Sequence, residues 1–311
     1  MACLVCGSLA FDTITDFPGR FADQILPDQV HILNVSFLVP TLRREWGGCA
    51  GNIAYSLRQL GGEPVVLAAL GNDGQAYLSR FEELGIDTGS VLRVADDYTA
   101  QAIIITDRDN NQITAFHPGA MQRAHEIGLP ARQDIRLAII GPDGREAMLR
   151  RARDLHAAGI PFVFDPGQGL PMFNGEELLA FVRQADYLTV NDYEAQLLQE
   201  RTGHSLVSLA QNLKALIVTL GGKGSVIYAN GKEIDIPCAT PAQIVDPTGC
   251  GDSYRAGLLY GIANGLDWEL TGRLASLIGA IKIAQRGGQN HQFTRDEIAV
   301  HFKQQFGTAL W

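Results

Sequence analysis

The chain has 311 residues, with 25 Lys and Arg against 34 Asp and Glu, for a net charge of −9. Hydrophobic residues make up 46% and charged residues 19%, a globular balance that excludes wholesale disorder; the acidic surplus argues against nucleic acid as the main partner, because gripping a polyphosphate backbone takes clustered cations. Five cysteines are too few, and odd in number, for a disulfide framework, which points to a reducing, cytoplasmic setting.

Taken in chain order, short apolar runs alternate with amphipathic stretches. Residues 4–7 read as a strand; no Lys or Arg precedes this run, so it is not read as a signal peptide. Residues 52–60 read as a helix stopped by Gly61 and Gly62, 65–70 as a strand, and 75–84 as a helix stopped by Gly85. A strand at 137–140 leads to a helix at 145–158, ended by Gly159. Three more buried strands follow at 162–164, 187–190 and 216–219, and the long helices 253–264 and 270–285 close the chain. This alternation implies an α/β fold with a mostly parallel sheet covered on both faces. No segment reaches the ~18 consecutive apolar residues of a membrane helix.

Two regions break the rhythm. Residues 14–44 are polar and extended in character, with an apolar stretch at 30–39 that lacks helical period. Residues 98–116 read as a hairpin, 102–106 and 113–116 flanking a turn-prone 107–111. Together they suit one small β-sheet laid as a lid over a large domain made of 1–13, 45–97 and 117–311; two unrelated surface excursions are the alternative.

Glycine is abundant, 34 of 311 residues, and clusters at strand-to-helix junctions. In Asp246-Pro-Thr-Gly-Cys-Gly-Asp252, two glycines open a helix. The first turn of a helix has N–H groups without intrahelical partners and the positive end of the dipole, so the amides of Gly249, Cys250 and Gly251 suit a phosphoryl anion. Asp252 sits beside that anion site, where a carboxylate makes electrostatic sense as a base taking a proton from an attacking hydroxyl; alone, it reads equally as a helix cap. Gly47-Gly48-Cys49-Ala50-Gly51-Asn52 also runs into a helix and offers Asn52 to a polar substrate, or merely caps it. Asn191-Asp-Tyr-Glu194 follows a strand, at the edge where α/β sheets bind ligands. Asn191 and Glu194 share a helical face and suit a Mg²⁺ that keeps its waters, or a capping box. The loop 219–225 follows another strand but is not a Walker A loop; Lys223 reads as a solvated turn residue. Cys3 and Cys6 read as buried strand residues. His31, His117 and His291 lack metal-ligand spacing.

In this order and spacing, the motifs resemble the ribokinase-like (PfkB) family of small-molecule kinases. GGCAGN at 47–52 and DPTGCGD at 246–252 are similar to its two signatures, and NDYE at 191–194 to its N-x-x-E motif. The resemblance implies a three-layer α/β/α domain with a mostly parallel central sheet and a small β lid. It implies Asp252 as catalytic base with Gly249, Cys250 and Gly251 as anion hole, and Asp12, Gly48, Asn52 and the lid's Phe116 on the substrate. It places Asn191, Glu194, Thr219, Gly221, Gly224 and Asn290 along ATP, Asn290 at its adenine end, with Asn191 and Glu194 holding Mg²⁺ through water. Pro247 and Cys250 stand where the family usually has Thr or Ser and Ala. The stretches SFLVPTLRREWGGCAGNIAY, TAFHPGAM, FDPGQGLPMF and RGGQNH resemble the bacterial adenosine kinase branch, and an apolar lid with Phe37, Leu38, Val39 and Phe116 suits a purine face or forms a lid core. The expectation is an ATP-dependent phosphotransfer to the 5′-hydroxyl of adenosine in purine salvage. The alternatives are a sugar acceptor such as ribose or fructose, and a catalytically silent nucleoside-binding regulator. No nucleic-acid or membrane partner is expected; a homodimer is left open.

Overall fold

The first strand, β1 (Ala2–Cys6), is buried at every position, as a central strand between two helical layers must be. After it come β2 (Ala10–Asp16), the short α1 (Phe21–Gln24), β3 (Thr41–Gly47), α2 (Cys49–Gln59), β4 (Glu63–Leu70), α3 (Gln75–Glu83), β5 (Val91–Arg93), β6 (Ala100–Thr106) and β7 (Gln112–His117). The second half runs β8 (Ile135–Ile140), α4 (Arg145–Ala157), β9 (Phe162–Phe164), α5 (Gly175–Gln184), β10 (Tyr187–Asn191), α6 (Asp192–Thr202), α7 (Leu206–Ala210), β11 (Ala215–Thr219), β12 (Ser225–Ala229), β13 (Lys232–Ile236), α8 (Cys250–Ala263), α9 (Trp268–Ile283) and α10 (Arg295–Phe306). This is a computed structural model and describes residues 2–25, 34–109 and 111–311; His31 and residues 30–33 of the apolar stretch lie outside them.

Nine strands form one sheet in the order β13-β12-β11-β10-β9-β8-β1-β4-β5. The run from β11 to β5 is parallel, and the hairpin β12–β13 adds antiparallel at one edge. Alternation along β1 divides the core in two. Cys3 and Val5 face a cluster built with Ile53 of α2, Leu258 of α8, Ile278 of α9 and Phe302 of α10. Leu4 and Cys6 face the opposite cluster, with Met148 of α4, Phe181 of α5 and Leu198 of α6. Each buried side chain of this size contributes about 1.5–3 kcal/mol, so both faces of the sheet are held by comparable apolar layers. Burial pushes the Cys3 and Cys6 thiols up, to about 11 and about 12, which keeps them unreactive strand residues.

A second sheet has the order β3-β2-β6-β7. The expected hairpin is β6–β7, antiparallel, and it joins β2 and β3 as one small sheet. Pairing begins at Ala10 and ends at Gly47, so residues 10–13 and 45–47 belong to this sheet rather than to the large one. Part of the lid's apolar residues form its own core: Phe37 packs on Phe17 and Phe21 at ring distances of 4.9 and 5.1 Å. Leu38 is exposed.

Candidate active site

The parallel strands end on one edge, and the chemistry-bearing residues gather there. Asp165 directly follows β9, Asn191 ends β10, and Thr219, its register partner, ends β11. Two helices then bring their N-termini to the same edge: α2 packs against α8.

The α8 start is made by Gly249, whose φ of 76° is a left-handed turn costly for any other residue, and an added Cβ would lie 3.1 Å from Gly288 Cα. The turn frees amides at the positive end of a 14-residue helix. One expectation needs correction. The Cys250 amide donates to Pro247 O at 3.1 Å, whereas among the described residues the amides of Gly249 and Gly251 have no backbone partner. Pro247 thus contributes its carbonyl to this turn, and the amides of Gly249 and Gly251 are the ones left to meet an anion.

Asp252 is half-buried on the first turn of α8 and caps nothing: α8 has no side-chain cap. Its Oδ2 accepts from Asn52 Nδ2 at 2.8 Å, across 200 residues of sequence. Burial pushes its pKa up to about 6; the Asn52 bond and Arg255 pull it down, and Asp165 and Asp12 push it further up. Asp252 is therefore a carboxylate at neutral pH with raised basicity. Gly48, with φ of 84°, turns the chain from β3 into α2 where a Cβ would meet Ser8 O at 2.5 Å, so Asn52 is delivered by close backbone contact. Asn52 Oδ1 accepts from Gln289 Nε2 at 3.2 Å; the same Nε2 donates to Tyr77 OH at 2.7 Å, and Tyr77 OH donates to Gly47 O at 2.7 Å. This chain ties the end of β3 to the base.

Asp12 lies in one cross-strand row, Glu45–Asp12–Ala102–Phe116. Cross-strand partners share a face, so the small sheet presents Asp12 and the exposed Phe116 together. Burial, with Glu45 and Asp246 beside it, pushes Asp12 up to about 6. Asn290 belongs with this row: its Nδ2 donates to Glu45 Oε2 at 2.9 Å. His291 is fully buried, its ring bonded to Ser56, and His117 meets Asp97 at 3.6 Å.

Asn191 and Glu194 form the capping box in full: Asn191 Oδ1 accepts from the Glu194 amide at 2.8 Å, and Glu194 Oε2 from the Asn191 amide at 2.8 Å. The cap leaves the second carboxylate oxygen on Asn191 Nδ2 at 2.9 Å. Burial raises the Glu194 pKa, and Asp165 raises it further. Both residues line a cavity of about 160 Å³ with Gly167, Gln168 and Tyr193. Among the described residues no group of three or more His, Cys, Asp or Glu could hold a metal. Asn191 and Glu194 offer oxygen donors that would suit a Mg²⁺ keeping most of its waters. Beyond β11, Gly221 is exposed with open space around it, while Gly224 is required by β13, since a Cβ there would lie 2.1 Å from Ile236 O.

Sequence reasoning gave no role to the pair that joins these parts. Arg255 Nε and Nη2 fork onto Asp165 at 3.0 and 3.0 Å, both side chains almost fully buried. Arg255 lies three residues after Asp252, on the same helical face; that spacing was the available signal, together with Asp165 in FDPGQG.

A mostly parallel three-layer sheet with an anion-binding helix start, a carboxylate beside it and a second sheet over that edge is the architecture of a small-molecule phosphotransferase. The chain belongs to the pfkB family of carbohydrate kinases, which it matches over residues 21–295; these are phosphotransferases acting on hydroxyl groups, and they use ATP with Mg²⁺. A solved structure of Burkholderia thailandensis nucleoside kinase in complex with inosine superposes with a TM-score of 0.90 at 50% identity, covering 99% of each chain. The same enzyme with ADP-inosine gives 0.87 at 51% identity, over 99% of this chain and 97% of that one. The nucleoside kinase of Methanocaldococcus jannaschii is 33% identical over 267 residues, 85% of this chain and 88% of its own. The fold is ribokinase-like, and the chain is a nucleoside or sugar kinase. No helix among the described residues is long and apolar enough to cross a membrane.

Proposed function

We propose that the protein transfers the γ-phosphoryl group of ATP to the 5′-hydroxyl of a purine nucleoside, with adenosine as the acceptor, giving AMP and ADP in cytoplasmic purine salvage. The observation that carries this reading is the Asn52–Asp252 bond beside the free amides of Gly249 and Gly251. Asp252 takes the hydroxyl proton as that oxygen attacks phosphorus. The amides at the start of α8 stabilise charge on the phosphoryl oxygens, each such donor being worth about 3–4 kcal/mol. Asp12 and Asn52 hold the ribose hydroxyls, Gly48 lets the backbone come close, and Phe116 offers a face to the base. Thr219 and Gly221 run along the nucleotide, and Glu194 and Asn191 orient the waters of Mg²⁺, which when bound offsets the phosphate charge. The small sheet β3-β2-β6-β7 acts as a lid that excludes competing water.

The inosine held by the Burkholderia thailandensis enzyme supports a purine acceptor and makes inosine the first competitor to adenosine. The test is kcat/KM with MgATP over adenosine, inosine, guanosine, ribose and fructose. Adenosine should lead. A free sugar ahead of every nucleoside would overturn the purine reading, and tight nucleoside binding without ATP consumption would overturn the enzyme reading.

A further inference from the structure

Lys282 lies in the last turn of α9 with no exposed surface, although lysine is almost never fully buried unless paired. Its partners are not carboxylates. Nζ donates to Asp246 O at 2.7 Å and to Gln285 O at 3.2 Å, and no acidic group lies within ion-pair distance among the described residues. Burial pushes its pKa down, while Cys250, Asp246, Asp252 and Glu45 hold it up. The charges that see it are therefore those around the anion-binding turn.

The two carbonyls belong to different segments. Asp246 opens the loop that leads through Pro247 and Thr248 to Gly249, and Gln285 lies in the turn after α9. The same segments are joined by the amides of Val245 and Asp246 on Ile283 O, and by the Gly287 amide on Asp246 Oδ2 at 2.9 Å. An apolar side chain at 282 would fill the space but remove the N–H donors that hold these two part-buried carbonyls, leaving Asp246 O only the weak Cys250 Sγ contact at 3.8 Å.

We infer that Lys282 is a positioning residue for phosphoryl transfer: its ammonium clamps the loop that presents the α8 amides and fixes a positive charge behind them, as a bound monovalent cation would. The inference rests on the anion-site reading of residues 249–251.

The experiment compares wild type, Lys282→Ala and Lys282→Met. In Lys282→Ala, kcat/KM for MgATP should fall by about 100-fold, the loss expected from misplacing reacting groups by an ångström. Ethylammonium, which fits the space left and donates N–H bonds, should restore turnover in a concentration-dependent way. Tetramethylammonium, equally charged but without N–H, should not. Lys282→Met, which fills the space, should stay inactive in both. Wild-type turnover should be the same in tetramethylammonium chloride as in potassium chloride; a wild type that needs added potassium overturns the inference even if the variants fail to fold. A Lys282→Ala enzyme as active as wild type, while Asp252→Asn is inactive, overturns the clamp and leaves the kinase reading standing. Absent wild-type turnover overturns the kinase reading, and the clamp is then read by melting temperature. Ethylammonium should raise the Tm of Lys282→Ala and not of wild type; an equal response in both overturns it.

Discussion

Asp252→Asn separates the chemistry of the base from its cost to the fold. Asparagine keeps the shape and can accept the Asn52 Nδ2 bond seen at 2.8 Å, but it cannot take a proton. Loss of a general base lowers turnover by roughly 10²–10⁴-fold, so kcat should fall by that much with adenosine binding little changed. In the wild type, acid should lower kcat/KM with an apparent pKa near that of the raised carboxyl. The stability effect has the opposite sign. The carboxyl sits at about 6 in the fold, against an ordinary 3.8, so the native state holds its proton more tightly than the unfolded chain. Below the ordinary value both states are protonated and nothing is lost. As pH rises through the interval to the raised value, the fold loses stability, and above it the loss is constant. Each pKa unit is 1.36 kcal/mol, which bounds the loss at about 3 kcal/mol; Asp252 is only half-buried, and solvent screening brings this to about 1–2 kcal/mol. Denaturant unfolding at pH 8 should show the variant more stable by that amount, with the gain vanishing near pH 4. Turnover at the parent rate refutes the base assignment, and a stability gain that ignores pH refutes the burial argument.

Two further substitutions test neighbouring parts. Glu194→Gln keeps one side-chain oxygen for the Asn191 amide but sets its NH2 against Asn191 Nδ2 and removes the charge, so Tm should fall slightly while the Mg²⁺ concentration for half-maximal rate rises severalfold; an unchanged Mg²⁺ titration would confine Glu194 to its capping box. Gly249→Ala forces a side chain into a turn of φ 76°, with its Cβ 3.1 Å from Gly288 Cα. It should cost about 1–3 kcal/mol in denaturant unfolding and lower kcat by about 10²-fold through the displaced amides, and retention of full activity would show that those amides do not hold the phosphoryl group.

Periodicity made the parallel strands legible because they are buried on both faces and read as unbroken apolar runs: 162–164 was located to the residue. The same logic misses β13, whose Lys-Glu-Ile-Asp-Ile alternates at an exposed sheet edge, and it starts α8 at 253 rather than at Cys250, because Gly249 and Gly251 look like loop until the left-handed turn at Gly249 is known. Asp252 and Asn52 were legible as motif members. Their bond was not, since nothing local predicts a contact across 200 residues. The bond from Asn290 to Glu45, by which the 286–291 turn folds back onto the small sheet, is a tertiary contact that no local pattern encodes. The capping-box reading of 191–194 holds in full, and its hydrogen bonds fix Glu194 at the strand edge.

The buried charges explain how one carboxylate stays both basic and ionised. Arg255 lies on the Asp252 face of α8, but its guanidinium is committed by two 3.0 Å bonds to Asp165. A free Arg one turn away would pull Asp252 well below the usual carboxylate range and leave a poor base. Spending that cation on Asp165 leaves Asp252 with a residual attraction to Arg255, a repulsion from Asp165 and the single neutral donor of Asn52. Glu194 feels the same pair from its other side. The Arg255–Asp165 fork thus couples electrically to both Asp252 and Glu194. On the proposed mechanism, phosphate at α8 would add negative charge and raise the Asp252 pKa further, and a cation accompanying it would offset the repulsion at Glu194. On the proposed mechanism, the half-buried Asp12, Asp246 and Asp252 around this edge would favour a magnesium-bearing nucleotide over phosphate without its cation.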